Sequence, residues 1–481
     1  MLCWLLMLWG CRAPAPDASS TQPPPVDTAP GCVPSSLPST PDSGTAYTAG
    51  TPSTGGTGSC PVVGDGPLQF VGERPRNVLM ISMDTFRRDH IGPYGDLALT
   101  PTLTELITEG VSASDAMQCS NWTFASTSCT LLGEDHVERG FLPKLTAEYR
   151  VPYPEGTRFL ATELADAGWY TALSSRNGFL SLQSDVNNAQ GYDVVLENLR
   201  PASEQLSGGL DHVLGLGGGV PWFLHLHMTE PHAPYDPPEA YLAEAALLEP
   251  IAWDLTDNDQ VNDLRAAISG LDADELALVR AHLDAHYQAE VRYLDDQLAE
   301  GLAAFEAMGL LDDTLVVLWT DHGEQFYEHG YLTHAYDLHT EENDALFALW
   351  SRTIVPAVWD GPVSHIDLAP TVMSALGLTP PDRMSGWPLG SAPADRARFA
   401  VSVARGEGRN ALRRGPHKLI FSWTTGERAL FDVVADPLEE VDLFTPGEAT
   451  SEAMWAELLP YVEATDPLAP EVSITWPSSG G

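Results

Sequence analysis

Three continuously apolar stretches of this chain each run into ionisable residues. NVLMISM (77–83) ends at Asp84, PWFLHLHM (221–228) leads into TEPHAPY, and TLVVLW (314–319) leads into Thr320, Asp321, His322 and Gly323. Runs of this length without polar alternation suit strands buried on both faces. Helical patterns lie between them. RFLATELADAGW (158–169) precedes the strand-like YTALSS (170–175). Leu276, Val279, Leu283, Tyr287, Val291, Leu294, Leu298, Leu302 and Phe305 recur at a spacing of three to four, the mark of a long amphipathic helix. The alternation predicts an α/β fold, a mostly parallel central sheet flanked by helices. Ligands of such sheets bind off the carboxyl ends of the strands. Asp84, Asp321 and His322 fall at that edge, and His232 lies just past a third strand. A single Asp after a strand commonly caps the next helix; three ionisable groups at two strand ends point to a site.

The flanks read differently. Residues 12–75 are rich in Pro, Ser, Thr and Gly and read as a disordered tether. Residues 76–390 hold the main domain, and 391–470 carry short alternating runs expected to form a small C-terminal antiparallel α+β subdomain. Lys plus Arg total 24 against 67 Asp plus Glu, a net charge of −43. That excludes nucleic acid and anionic membrane surfaces as expected partners, since both need a basic face. An anionic substrate stays open, because one buried cation reverses the potential locally. The apolar start MLCWLLMLWGC is too short to span a bilayer and suits a secretory signal. Residues 1–11 resemble a bacterial lipoprotein signal with Cys11 as the lipidated residue; an ordinary signal peptide is the alternative. The expectation is export to the bacterial cell envelope, periplasm or outer-membrane surface, with membrane contact only through the lipid anchor. Cys32, Cys60, Cys119 and Cys129 remain, an even set that reads as two disulfides in sequential pairs, one of three connectivities.

Six segments carry a resemblance. In chain order they are NVLMISMDTFRRDHIGPYG, TPTLTELITEGVSASDAMQCSNWTFASTSCTLLGE, FLHLHMTEPHAPYDPP, VVLWTDHGEQFYEHGYLTHAYDLHTEE, SHIDLAPTVMSALGL and HKLIFSWTTGERALFDVVADPLEEVDL. Together, over roughly 77–445, they resemble the sulfatase family of the alkaline-phosphatase superfamily. The resemblance implies hydrolysis of sulfuric or phosphoric esters. Many members carry Cys-x-Pro-x-Arg, whose Cys becomes formylglycine. Neither Cys119, followed by Ser-Asn-Trp-Thr, nor Cys129, followed by Thr-Leu-Leu-Gly, fits that pattern. A branch with a Thr nucleophile reads Trp-Thr-Leu-Pro-Ser-His. Trp122-Thr123-Phe124-Ala125-Ser126-Thr127 matches its frame, with Ala125 and Thr127 in place of the Pro and the basic residue.

By the same resemblance Thr123 is the nucleophile, and Asp84, Asp321, His322 and the Thr123 oxygen hold one divalent cation. Typical relatives have a second Asp where Thr85 stands. Its loss leans away from a Ca²⁺ cage toward Mn²⁺, Mg²⁺ or Zn²⁺, for which imidazole is a suitable ligand. His232 and His334 take proton-transfer or anion-binding roles, and Lys418 is the candidate substrate contact. His225 and His227 alternate onto one strand face and read as structural. Arg87 and Arg88 read as ion-pair partners, and His329 as loop structure. The substrate is expected to be a small-molecule, glycan or lipid ester. Two other functions fit the same residues: an envelope transferase passing phosphoglycerol or phosphoethanolamine through a phospho-Thr123 intermediate, and a non-catalytic lipoprotein of this fold.

Overall fold

The computed structural model describes residues 61–465 except 96–98, 138–144, 147–148, 151–152, 181–187, 198–200, 244, 246–247 and 406–407. Cys11, Cys32, Cys60 and the tether up to residue 60 lie outside the described residues. Eight strands form the main sheet: β1 (Asn77–Met83), β2 (Val111–Ala113), β3 (Tyr170–Ser175), β4 (Val194–Glu197), β5 (Trp222–Met228), β6 (Thr314–Thr320), β7 (Phe347–Trp350) and β8 (Ala357–Trp359). Their order is β8-β2-β7-β6-β1-β5-β3-β4. Only β7 runs antiparallel to its neighbours. The apolar runs of the sequence are the three central strands, with Val78, Leu79, Met80 and Ile81 of β1 fully buried. Helices cover both faces because strands without alternation expose apolar residues on each.

Two helices position the site. α1 (Thr123–Leu132) is buried along its whole length and ends at Gly133, whose φ of 66° supplies the left-handed C-cap. α2 (Ala273–Ala307) begins at Asp272, which forms a capping box with Glu275. The apolar stripe of the sequence is the face of α2 turned to the core, from Val279 to Phe305. Tyr287 on that face accepts a hydrogen bond from the Arg87 backbone N–H and donates to the Thr85 carbonyl, both at 2.7 Å. It thereby clamps the loop after β1, where Thr85 holds a φ of 54°. That value is costly for a β-branched residue and needs such external support.

The C-terminal region is a four-stranded antiparallel sheet: β9 (Arg398–Ser402), β10 (Arg409–Arg414), β11 (His417–Ser422) and β12 (Arg428–Asp432). Its first strand braces the segment before α1: the Val401 N–H donates to the Cys119 carbonyl at 3.0 Å, and Ser120 Oγ donates to the Val401 carbonyl at 2.6 Å. One expectation is corrected at the other end. Residues 62–71 are not tether but a β-hairpin, Val62–Asp65 paired with Leu68–Val71. Leu68 and Phe70 are buried, and Gly66 takes the turn at a φ of 55°. The Gly66-Pro67 pair followed by alternating LQFV is a turn and strand signal that the surrounding Pro and Gly content obscured. Among the described residues no helix is long and apolar enough to cross a membrane.

Candidate active site

Sheet register brings the ionisable residues together. Met83 of β1 pairs with Thr320 of β6 and with Met228 of β5, so the next residues, Asp84 and Asp321, leave the sheet side by side. The Asp84 N–H still donates to the Met228 carbonyl at 3.0 Å. α1 then delivers Thr123 at its first residue, directly over these strand ends. Trp122 makes no side-chain cap, so the backbone N–H groups of the first turn keep their partial positive charge toward the site.

The resulting distances are short. Thr123 Oγ1 lies 3.5 Å from Asp84 Oδ1 and 3.4 Å from His322 Nε2. His322 Nε2 lies 3.5 Å from Asp84 Oδ1 and 3.6 Å from Asp321 Oδ2. Asp84, Asp321 and His322 are at most 1% exposed. His322 Nδ1–H donates to the Gly323 carbonyl at 2.9 Å, which leaves the Nε2 lone pair facing inward. Asp321 Oδ1 accepts from the Thr85 and His322 backbone N–H groups, whereas its Oδ2 is buried with no hydrogen-bond partner. A buried carboxylate oxygen and a bare imidazole nitrogen converging with a hydroxyl are a donor set that fits a divalent cation. Separations near 3.5 Å match ligand atoms around an ion bound at about 2.1 Å in tetrahedral geometry. The charges demand such a counter-ion. Burial presses the Asp84 carboxyl upward, yet His232, His227 and His322 outweigh it and hold the group below the usual carboxylate range. Asp321 is pushed well above that range by burial and by the Asp84 charge. His322 is drawn down to about 3, first by burial and then by His334.

Around this centre stand further polar groups. His334 Nδ1 donates to Glu324 Oε1 at 2.8 Å, and its ring centre lies 4.5 Å from that of His322 and 5.1 Å from that of His232. Tyr235 donates to the other Glu324 oxygen at 3.1 Å. His232 donates from Nδ1 to the Ala233 carbonyl, leaving its Nε2 available. Asn177, two residues past β3, donates from Nδ2 to Asp84 Oδ2 at 2.9 Å and to Thr123 Oγ1 at 3.4 Å. A cavity of about 640 Å³ opens here, lined among others by Asp84, Arg176, Asn177, Glu230, His232, Asp236, Glu290 and Tyr293.

Glu290 has a measurable consequence. Burial, then the Glu230 charge, raises its carboxyl from 4.5 to about 8. Its folded value exceeds its unfolded one, so its contribution is fully present below pH 4.5 and is lost as pH rises through about 8. Glu290→Gln is expected to melt about 3 °C higher than wild type at pH 9 and within about 1 °C of it at pH 4.5. Thermal unfolding at the two pH values checks this; a variant less stable at pH 9 contradicts it.

The structure thus gathers Asp84, Thr123, Asp321, His322, His232 and His334 at one edge of the sheet. Lys418 is corrected: it does not line the cavity but is fully buried in the C-terminal sheet, its Nζ 3.0 Å from Glu439 Oε1, so the cation is neutralised inside the fold. His227 is corrected as well. Its ring is not a saturated structural imidazole, since Nε2 is buried without a hydrogen-bond partner, 3.4 Å from Asp84 Oδ2. Arg87 pairs with Asp89 and Glu328, Arg88 stands 4.0 Å from Asp344, and His329 pairs with Glu341. Cys119 and Cys129 are buried and joined to each other, their Cα atoms 6.8 Å apart. Thr127, which replaces the family's basic residue, donates to the Thr123 carbonyl at 2.6 Å. Sequence reasoning missed Asn177, His227 and Glu324. The signal for His227 was its place at the end of a site-bearing strand, and for Glu324 its place in the Asp-His-Gly-Glu run; Asn177 carried none.

Comparison with known proteins agrees with this picture. The family model for Sulfatase matches residues 76–378. An arylsulfatase from Clostridium perfringens is 22% identical over 450 residues, covering 77% of this chain and 91% of that protein. The solved structure of BT4656 in complex with its substrate D-glucosamine-2-N,6-O-disulfate superposes with a TM-score of 0.64 at 16% identity, over 82% of this chain and 99% of that one. The phosphonate monoester hydrolase of Silicibacter pomeroyi does so with a TM-score of 0.61 at 19% identity, over 82% and 96%. At such identities the two structural likenesses speak for the fold, while the family match spans more than half of the chain. The chain belongs to the sulfatase family, within the alkaline-phosphatase superfamily, and is a sulfatase-like ester hydrolase.

Proposed function

We propose that this protein hydrolyses sulfuric or phosphoric esters with the unmodified hydroxyl of Thr123 as nucleophile and one divalent cation held by Asp84, Asp321, His322 and Thr123. The observation that carries the reading is the convergence of Thr123 Oγ1 on Asp84 Oδ1 and His322 Nε2 at 3.5 and 3.4 Å. Two bridged sulfurs offer no attacking thiolate. Bound there, the cation supplies the positive charge that lowers the pKa of the attacking hydroxyl and neutralises the ester oxygens.

The chain's own residues do the rest. Thr123 Oγ1, its proton given up to solvent, forms a bond to sulfur or phosphorus as the bond to the leaving oxygen breaks, and the N–H groups opening α1 stabilise the added negative charge. His232, at the cavity wall, protonates the departing oxygen. His334, its Nδ1–H held by Glu324, stands beside His322 and His232 at the edge of the site. Water then displaces Thr123, releasing sulfate or phosphate and restoring the hydroxyl. Asn177 keeps the Thr123 and Asp84 oxygens in register.

A phosphorus ester suits this nucleophile better than a sulfate, because an unmodified Thr lacks the hydrated-aldehyde route by which typical sulfatases release sulfate. The likeness to a phosphonate monoester hydrolase, and to an arylsulfatase, brackets both chemistries. Glu230 and Asp236 against Arg176 give the cavity wall an acidic balance, which favours a neutral or cationic leaving group over a polyanionic one. Paired aryl sulfates and aryl phosphates, assayed with Mn²⁺, Mg²⁺ or Zn²⁺ after chelation, test the proposal. Metal-dependent turnover with the phosphate faster is expected; a protein inert on both ester classes with every ion overturns it.

A further inference from the structure

One buried hydrogen-bond chain ends at the ligand set. Ser82 of β1 stands opposite His227 of β5 in the parallel register, and His225 lies two residues earlier on the same face. Ser82 Oγ is 2.8 Å from His225 Nε2 and 2.8 Å from His227 Nδ1. At the far end Tyr192 OH is 2.8 Å from His225 Nδ1. At the near end His227 Nε2 is 3.4 Å from Asp84 Oδ2. Ser82, His225 and His227 are 0% exposed.

The protons in this chain can be ordered by counting them. Among the described residues the Tyr192 hydroxyl has no other hydrogen-bond partner, so its proton goes to His225 Nδ1. No carboxylate touches His225, and burial keeps its ring neutral. A neutral imidazole that accepts at Nδ1 carries its proton at Nε2, and His225 therefore donates to Ser82 Oγ. The Ser82 proton then has His227 Nδ1 as its acceptor. His227 in turn carries its own proton at Nε2, 3.4 Å from Asp84 Oδ2. Asn177 donates to that same oxygen, and Asp84 Oδ1 stays turned toward Thr123 and His322.

We infer that Tyr192, His225, Ser82 and His227 form a proton-ordered relay that positions Asp84 for the divalent cation, with His227 as a donor to the carboxylate and not a ligand of the ion. The inference rests on the cation reading above and extends it to four residues outside the ligand set. Outer-shell donors of this kind fix which carboxylate oxygen faces an ion.

Titration calorimetry with Mn²⁺ on the chelated full-length protein tests the relay independently of turnover. His227→Ala is expected to weaken Mn²⁺ binding about 10- to 100-fold, the usual effect of losing an outer-shell partner. His227→Gln, whose amide N–H still donates, is expected within about threefold of wild type, with Tyr192→Phe between the two, scaled to the same range. Circular dichroism establishes that each variant is folded, and Tyr192→Phe reports on the relay should His227→Ala fail to fold. Wild-type affinity in both His227→Ala and Tyr192→Phe overturns the relay while the cation site stands. Equal loss in His227→Gln and His227→Ala overturns it too, since Nε2 then supplies a lone pair and not a proton. A wild-type protein that binds no Mn²⁺ overturns the relay together with the cation reading; Thr123→Ala kinetics judge the nucleophile separately.

Discussion

Thr123→Ala is expected to lower kcat for aryl phosphate and aryl sulfate esters by roughly 10³-fold or more, the scale of losing a covalent nucleophile. The residue is 4% exposed at the opening of α1, and alanine is a good helix former, so the fold has little reason to change. What disappears is the only side-chain oxygen that α1 sets against both Asp84 and His322. Thr123→Ser retains that oxygen and loses one methyl group, a change of about 1 kcal/mol in burial, and should stay within about tenfold of wild type. Comparing the two variants separates a missing hydroxyl from disturbed packing. Initial rates on one aryl ester suffice; wild-type kcat in Thr123→Ala contradicts the assignment.

The second large effect concerns the cation. Adding Mn²⁺ to chelated wild-type protein at about 100 times its dissociation constant should contribute about 2.7 kcal/mol of stability and raise Tm by about 5 °C. Without an ion, Asp84 and Asp321 face each other in a buried space. The Asp321 carboxyl is raised by burial and then by Asp84, so its folded value exceeds its unfolded one. The metal-free protein therefore holds that stability below the unfolded value and loses it as pH climbs through the folded one. Asp321→Asn removes one of the two charges. At neutral pH it should melt about 2 °C above chelated wild type, and the Mn²⁺-induced rise should vanish. Calorimetric melting with and without ion distinguishes the cases. An undiminished Mn²⁺ response in Asp321→Asn would show that the ion sits elsewhere.

Much of this centre was legible before folding because the chemistry sits where secondary structure ends. An apolar run followed by Asp fixes both a strand and a residue at its carboxyl edge, and parallel register does the rest: Met83 against Thr320 makes neighbours of Asp84 and Asp321, 237 residues apart in sequence. The long stripe from Val279 to Phe305 likewise named the buried face of α2. Residues whose role depends on a partner from another strand were not legible. His225 and His227 have the same alternation and burial, yet only His227 stands at the strand end facing Asp84. Asn177 follows β3 in a loop with no pattern, and its contacts with Asp84 and Thr123 exist only in three dimensions. Lys418 misled for the converse reason. A lysine at the opening of a short strand reads as a cation free to meet substrate, and nothing local announced that Glu439, 21 residues on, would neutralise it in the interior. The hairpin at 62–71 was hidden by composition, since the Gly and Pro that mark tethers also mark turns.

Which atom becomes bonded to the substrate decides the mechanism. Acid quenching during turnover of an aryl phosphate, followed by peptide mass mapping, locates the transferred group. The prediction is one phosphoryl group on the peptide that spans Cys119 to Cys129, fragmenting to Thr123 and absent from Thr123→Ala. A phosphoryl group on any other residue of the turning-over wild-type enzyme would contradict it.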